Sequence, residues 1–124
     1  MELGLFMQPV HRAEKPWATA LAEDRESVLL AEKLGFSEVW IGEHFSTKAE
    51  QIPSPLMFLA SLIEQTSTIR FATGVINLPY HHPVIVAAET AQFDQMSGGR
   101  LIVGVALGGR PAQYRLLGGP SELR

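Results

Sequence analysis

The sequence predicts an α/β fold made of about four βα units, the N-terminal half of a (β/α)8 TIM barrel. Three observations carry this. Apolar, β-branched segments alternate with longer amphipathic ones along the whole chain. The expected strands begin near residues 2, 37, 69 and 101, a recurrence of 32 to 35 residues. A closed barrel of eight such units takes about 250 residues, or roughly 31 per unit. The alternative is an open, flavodoxin-like sheet, which the same alternation would also build.

The first strand is expected over residues 2–7, ended by Pro9. A polar loop leads to Pro16, which suits a first helical turn. Trp17, Leu21, Val28 and Ala31 then fall on one stripe as far as Leu34, with Gly35 as the stop. The second strand is expected to end on Val39-Trp40-Ile41, and it delivers Gly42, Glu43 and His44 into a loop of mixed charge. Parallel α/β folds hold their chemistry outside the carboxyl ends of the strands, so His44 is the first candidate catalytic residue. An imidazole beside a carboxylate is also a common surface pair, and position in the chain is what separates the two readings.

Ser54-Pro55 opens a second helix, with Ser as N-cap and Pro in the first turn. Leu56 to Ala60 is apolar all round, which calls for cover on two faces and suggests burial against a second subunit. The third strand is expected over residues 69–76. His82 before Pro83 is positioned to cap a third helix that runs to about Met96, with Val86, Phe93 and Met96 on one face and Gly98-Gly99 as the end. Leu101 to Val105 reads as a fourth strand. A loop through Gly108, Gly109 and Arg110 leads to one or two helical turns over residues 112–117.

The chain has 124 residues, 46% of them hydrophobic, which is enough for a core. A net charge of −3 with scattered basic residues gives no footprint for nucleic acid. The absence of cysteine excludes disulfides, thiolate nucleophiles and Cys-based metal sites. No metal is expected, since His81 and His82 are adjacent and lack ligand spacing. No G-x-G-x-x-G dinucleotide fingerprint occurs. The N-terminus is neither a signal peptide nor a membrane span, and the protein is expected in the cytoplasm without a membrane partner. Arg100 opens a strand at the stability face, where an ion pair is expected of it. Half a barrel would leave two open edges, so residues 1–124 are expected to be a truncated domain.

Three stretches together carry a resemblance: residues 39–45, Val-Trp-Ile-Gly-Glu-His-Phe; residues 72–79 with His82-Pro83; and residues 94–100, Asp-Gln-Met-Ser-Gly-Gly-Arg. They resemble the N-terminal part of the bacterial-luciferase-like flavin-dependent monooxygenases. That resemblance implies reduced FMN, supplied by a flavin reductase, at the carboxyl ends of the strands. It also implies oxygenation of a small organic substrate by molecular oxygen through a flavin hydroperoxide, and a homodimer through the second and third helices. By position it makes His44 the catalytic histidine beside the flavin and Glu43 a neighbour of the cofactor. It puts a non-prolyl cis peptide at Gly74-Val75, beneath the flavin ring. Leu107 stands where the luciferases carry a phosphate-binding arginine, a role that Leu cannot fill and for which Arg110 is the available substitute. An F420-dependent dehydrogenase of the same fold and a non-catalytic fragment that keeps only the dimer surface are the alternatives. A sugar-phosphate barrel enzyme has no support, because its phosphate loops would follow later strands.

Overall fold

A computed structural model describes residues 1–45 and 47–117. The elements are β1 (Gly4–Met7), α1 (Trp17–Lys33), β2 (Glu38–Ile41), α2 (Pro55–Ala60), β3 (Arg70–Asn77), α3 (Pro83–Ser97), β4 (Leu101–Ala106) and α4 (Pro111–Leu117). Short 3-10 turns follow α2 at Ile63–Gln65 and β3 at Leu78–Tyr80. All four strands are parallel, in the order β1-β2-β3-β4. Sequential order is that of a barrel wall, whereas a flavodoxin-like sheet places its first strand inside the sheet. The chain is thus a partial (β/α)8 barrel.

One face of the sheet holds the core. Val39, Ile41 and Phe71 pack there with Val28 and Ala31 of α1, Phe58 and Leu59 of α2, and Phe93 of α3. On the other face Trp40 donates its indole N–H to Glu38 at 2.9 Å, and Arg70 pairs with the same carboxylate at 3.0 Å. Phe6 lies on that face too, 58% exposed. This is the period-two division of a strand into helix-facing and barrel-facing side chains.

The caps follow the sequence. Ser54 Oγ accepts from the Met57 N–H, and His82 Nδ1 accepts from the Val84 N–H, each at 3.3 Å. At the end of α3, Gly98 and Gly99 take φ of 67° and 80°, the left-handed region where glycine costs least. Among the described residues no helix is long and apolar enough to cross a membrane.

Several details differ from expectation. The buried stripe of α1 is Ala20, Asp24, Val28 and Ala31, while Trp17 and Leu34 are more than half exposed. The stripe is rotated because Asp24 turns inward to meet His11 Nε2 at 2.9 Å, and Trp17 lies across the surface with its N–H on the Gln51 carbonyl. Met96 is exposed, and Phe93 and Ser97 are the buried residues of α3. Only Met57 of the apolar run in α2 is fully open to solvent, since Phe58 and Leu59 face the core. A single chain therefore covers most of that helix.

Arg100 makes no ion pair among the described residues. Its guanidinium donates to the carbonyls of Ser97, Ile63 and Ile69 and to Thr66 Oγ1, and it stacks 4.9 Å from the centre of the Phe71 ring. Carbonyls suffice because the segments after α2 and α3 end here with spare acceptors. Arg100→Met keeps the length of the side chain and removes every donor. It is expected to cost about 2 kcal/mol in urea unfolding, and a variant within a few tenths of the parent would show that these contacts contribute little.

Candidate active site at the carboxyl ends of the strands

Three loops converge beyond the carboxyl ends of β2, β3 and β4. The first begins at Gly42, which is buried and against which the His44 ring folds. A Cβ on Gly42 would lie 2.6 Å from His44 Nε2, so only glycine lets the imidazole lie back across the strand end. Most of the His44 side chain is buried, and its Nε2 has no hydrogen-bond partner among the described residues. Its Nδ1 lies 3.6 Å from Glu50 Oε1. Burial holds the imidazole pKa below the ordinary histidine value. The Glu50 carboxylate opposes this, and the Arg110 guanidinium adds to it. His44 is accordingly held toward its neutral form, the one that can accept a proton.

Glu43 points elsewhere. Its carboxyl is buried and fully engaged: Oε2 accepts from the Asn77 backbone N–H at 2.8 Å and from Asn77 Nδ2 at 3.0 Å, and Oε1 lies 2.6 Å from His81 Nε2. The residue thus ties the end of β2 to the end of β3 and to the turn that follows.

Gly74 and Val75 are joined by a cis peptide bond, within the register shift between β3 and β4. A Cβ on Gly74 would meet Phe6 at 3.0 Å and Trp40 at 3.4 Å, so the backbone there is seated against two aromatic rings. Leu107 is exposed, and its carbonyl accepts from the Tyr114 hydroxyl. Arg110 reaches back across the site, and its two terminal nitrogens donate to the two Glu50 oxygens at 2.6 and 3.0 Å. The hydrogen bond to Arg110 holds the Glu50 carboxyl below the usual glutamate range. Gln113 of α4 donates to the Phe45 carbonyl at 3.1 Å, closing the third loop onto the first.

The structure therefore brings together His44, Glu43, Gly74 and Val75 at one end of the sheet. It sets Leu107 and Arg110 at the rim, with Arg110 committed to Glu50. Four residues were not legible as members of the site: Glu50, Asn77, Tyr80 and His81. Tyr80 stacks edge-on against Tyr114, with ring centres 5.0 Å apart, and its buried hydroxyl has no partner among the described residues. Asn77 at the end of β3 was the readable signal, since a buried polar residue after an apolar strand needs a partner.

A flavin fits what these residues offer. The sheet end presents an unpartnered ring nitrogen, an apolar floor of Phe6 and Trp40, and glycine backbone at Gly74 that can approach a planar ring closely.

Over residues 1–124 the chain matches the family described as luciferase-like monooxygenase. It is 38% identical to 4-hydroxyprotoasukamycin monooxygenase of Streptomyces nodosus subsp. asukaensis, a match that takes in 100% of this chain and 34% of that protein. It is 39% identical to limonene 1,2-monooxygenase of Rhodococcus erythropolis, over 95% of this chain and 30% of that protein. The oxygenating constituent of 3,6-diketocamphane monooxygenase from Pseudomonas putida, solved in complex with FMN, superposes with a TM-score of 0.91 and 30% identity, over 95% of this chain and 32% of that one. The chain spans about a third of the length of these relatives. It belongs to the luciferase-like monooxygenase family.

Proposed function

We propose that the protein is a flavin-dependent monooxygenase that works with reduced FMN, molecular oxygen and a separate flavin reductase to oxygenate a small organic substrate. The observation that carries this reading is the Nε2 of His44, which lies against Gly42 at the carboxyl end of the sheet with no partner among the described residues. Family membership and the FMN bound by the Pseudomonas putida relative support it. Bound reduced FMN would supply the electron pair that activates oxygen.

The chain's own residues would do the rest. Gly74 and Val75 would lie against the flavin ring, with Phe6 and Trp40 behind them as an apolar surface that excludes water. His44 Nε2 would take up or hand over the proton that accompanies the reaction, a role suited to an imidazole kept neutral near pH 7. Glu43 would act without touching the flavin, by fixing the ends of β2 and β3. Leu107 would offer only apolar contact at the rim. Arg110 is a poor phosphate ligand while both its terminal nitrogens face Glu50. Self-association would use α2 and α3, where Met57, Val84 and Ile85 are exposed.

A titration of FMN, oxidised and reduced, against the 124-residue chain tests the site. We expect saturable quenching of flavin fluorescence, nearly unchanged in His44→Ala. In turnover assays with a flavin reductase the same substitution is expected to slow oxygenation by about 10²- to 10⁴-fold. A folded chain that leaves FMN unbound would sink the site assignment. A deazaflavin bound more tightly than FMN would shift the reading to an F420-dependent dehydrogenase.

A further inference from the structure

His44 does not stand alone. The loop after β2 turns back so that Glu50 faces the imidazole, and the backbone fixes that turn on both sides. His44 N–H donates to the Ile52 carbonyl at 3.1 Å, His11 N–H donates to the Ala49 carbonyl at 2.8 Å, and Glu50 forms an antiparallel bridge with Val10. The Glu50 side chain is 11% exposed, and the bidentate fork of Arg110 holds both its oxygens, including the Oε1 that faces His44. Two groups thus meet at one carboxylate: a guanidinium paired with Glu50 and an imidazole beside it.

We propose that Glu50 and Arg110 are positioning residues for His44: Glu50 selects the tautomer with the proton on Nδ1, leaving the Nε2 lone pair at the strand ends, and Arg110 balances the Glu50 charge so that the ring stays neutral. An Nδ1–H dipole aimed at the Glu50 carboxylate favours this tautomer over a bare lone pair aimed at it. The reverse tautomer would leave a buried Nε2–H with no acceptor among the described residues and point a bare Nδ1 lone pair at a carboxylate. At 3.6 Å the Nδ1–Glu50 contact is within charge-pair range and longer than a hydrogen bond. Without Arg110, the carboxylate would draw a proton onto the ring. Burial of His44 and the Arg110 charge both favour the neutral ring, while Glu50 and, more weakly, Glu43 oppose it. Lys15 and Lys48 line the same cavity and add positive charge to it. This inference rests on the reading of His44 as the proton-transferring residue, but its test does not require flavin.

The test is the imidazole nitrogen spectrum of the 124-residue chain followed through pH, with the His44 signals identified by their loss in His44→Gln. We expect the Nδ1–H tautomer at neutral pH. Glu50→Gln should move the His44 midpoint down and Arg110→Met should move it up, with Arg110→Lys close to the parent. A mere strap between the two loops would be broken equally by either change, so shifts of the same sign would overturn the proposal. So would an Nε2–H tautomer in the parent, or four imidazoles all at their unfolded positions. Flavin binding is read separately, so its failure would count against the proposed function and leave these shifts standing.

Discussion

Replacing Glu43 by alanine is expected to destabilise the chain by about 3–5 kcal/mol and to weaken FMN binding in the same variant. The carboxyl is buried and serves three donors at once: the Asn77 N–H, the Asn77 side-chain amide and His81 Nε2. Alanine would leave the buried Asn77 N–H without an acceptor and its side-chain amide with only the long 3.5 Å contact to the residue 43 carbonyl, and each such loss costs about 1–3 kcal/mol. The affinity loss follows because Asn77 closes the strand that carries Gly74 and Val75. Glu43→Gln keeps one oxygen for the Asn77 N–H and should lose much less in urea unfolding. Equal losses in the two variants would mean that the acceptor geometry is not what matters.

Gly104→Ala is expected to cost roughly 3 kcal/mol, at the upper end of what overpacking usually costs. A Cβ there would sit 2.2 Å from the Thr73 carbonyl oxygen, a backbone atom that cannot swing aside. Thr73 Oγ1 also donates to the Gly104 carbonyl at 2.9 Å and accepts from its N–H at 3.0 Å, so the two residues are fastened face to face. Gly109→Ala is the control. A Cβ on Gly109 meets nothing within 4 Å, and the change should stay within about 0.5 kcal/mol of the parent. Matching midpoints for the two variants would show that β3 and β4 can separate locally at little cost.

How much of this was legible varied with the range of the interaction. The four strands and the caps at Ser54, His82 and Gly98 follow from local signals, each written within a few residues, and the parallel order follows from their regular alternation with helices. The position of His44 just past a strand end was legible for the same reason. The inward face of α1 was not, because Asp24 is buried only through its pairing with His11, 13 residues away. Glu50 escaped notice, and His81 was weighed only as a metal ligand, on similar grounds: each finds its site partner only when the loops fold over one another. Arg100 was placed at the right end of the sheet with the wrong partners, since sequence does not mark which helix ends leave carbonyls unclaimed.

The division of the sheet into two faces has an optical consequence. The chain has two tryptophans, and they fall on opposite sides. Trp17 lies on the helical exterior with its indole N–H on a loop carbonyl, while Trp40 lies on the barrel-facing side against Gly74. Each face therefore carries its own intrinsic fluorophore. With Trp17 silenced, emission would come from Trp40 alone, and energy transfer to any chromophore lodged at the strand ends would be read from inside the barrel.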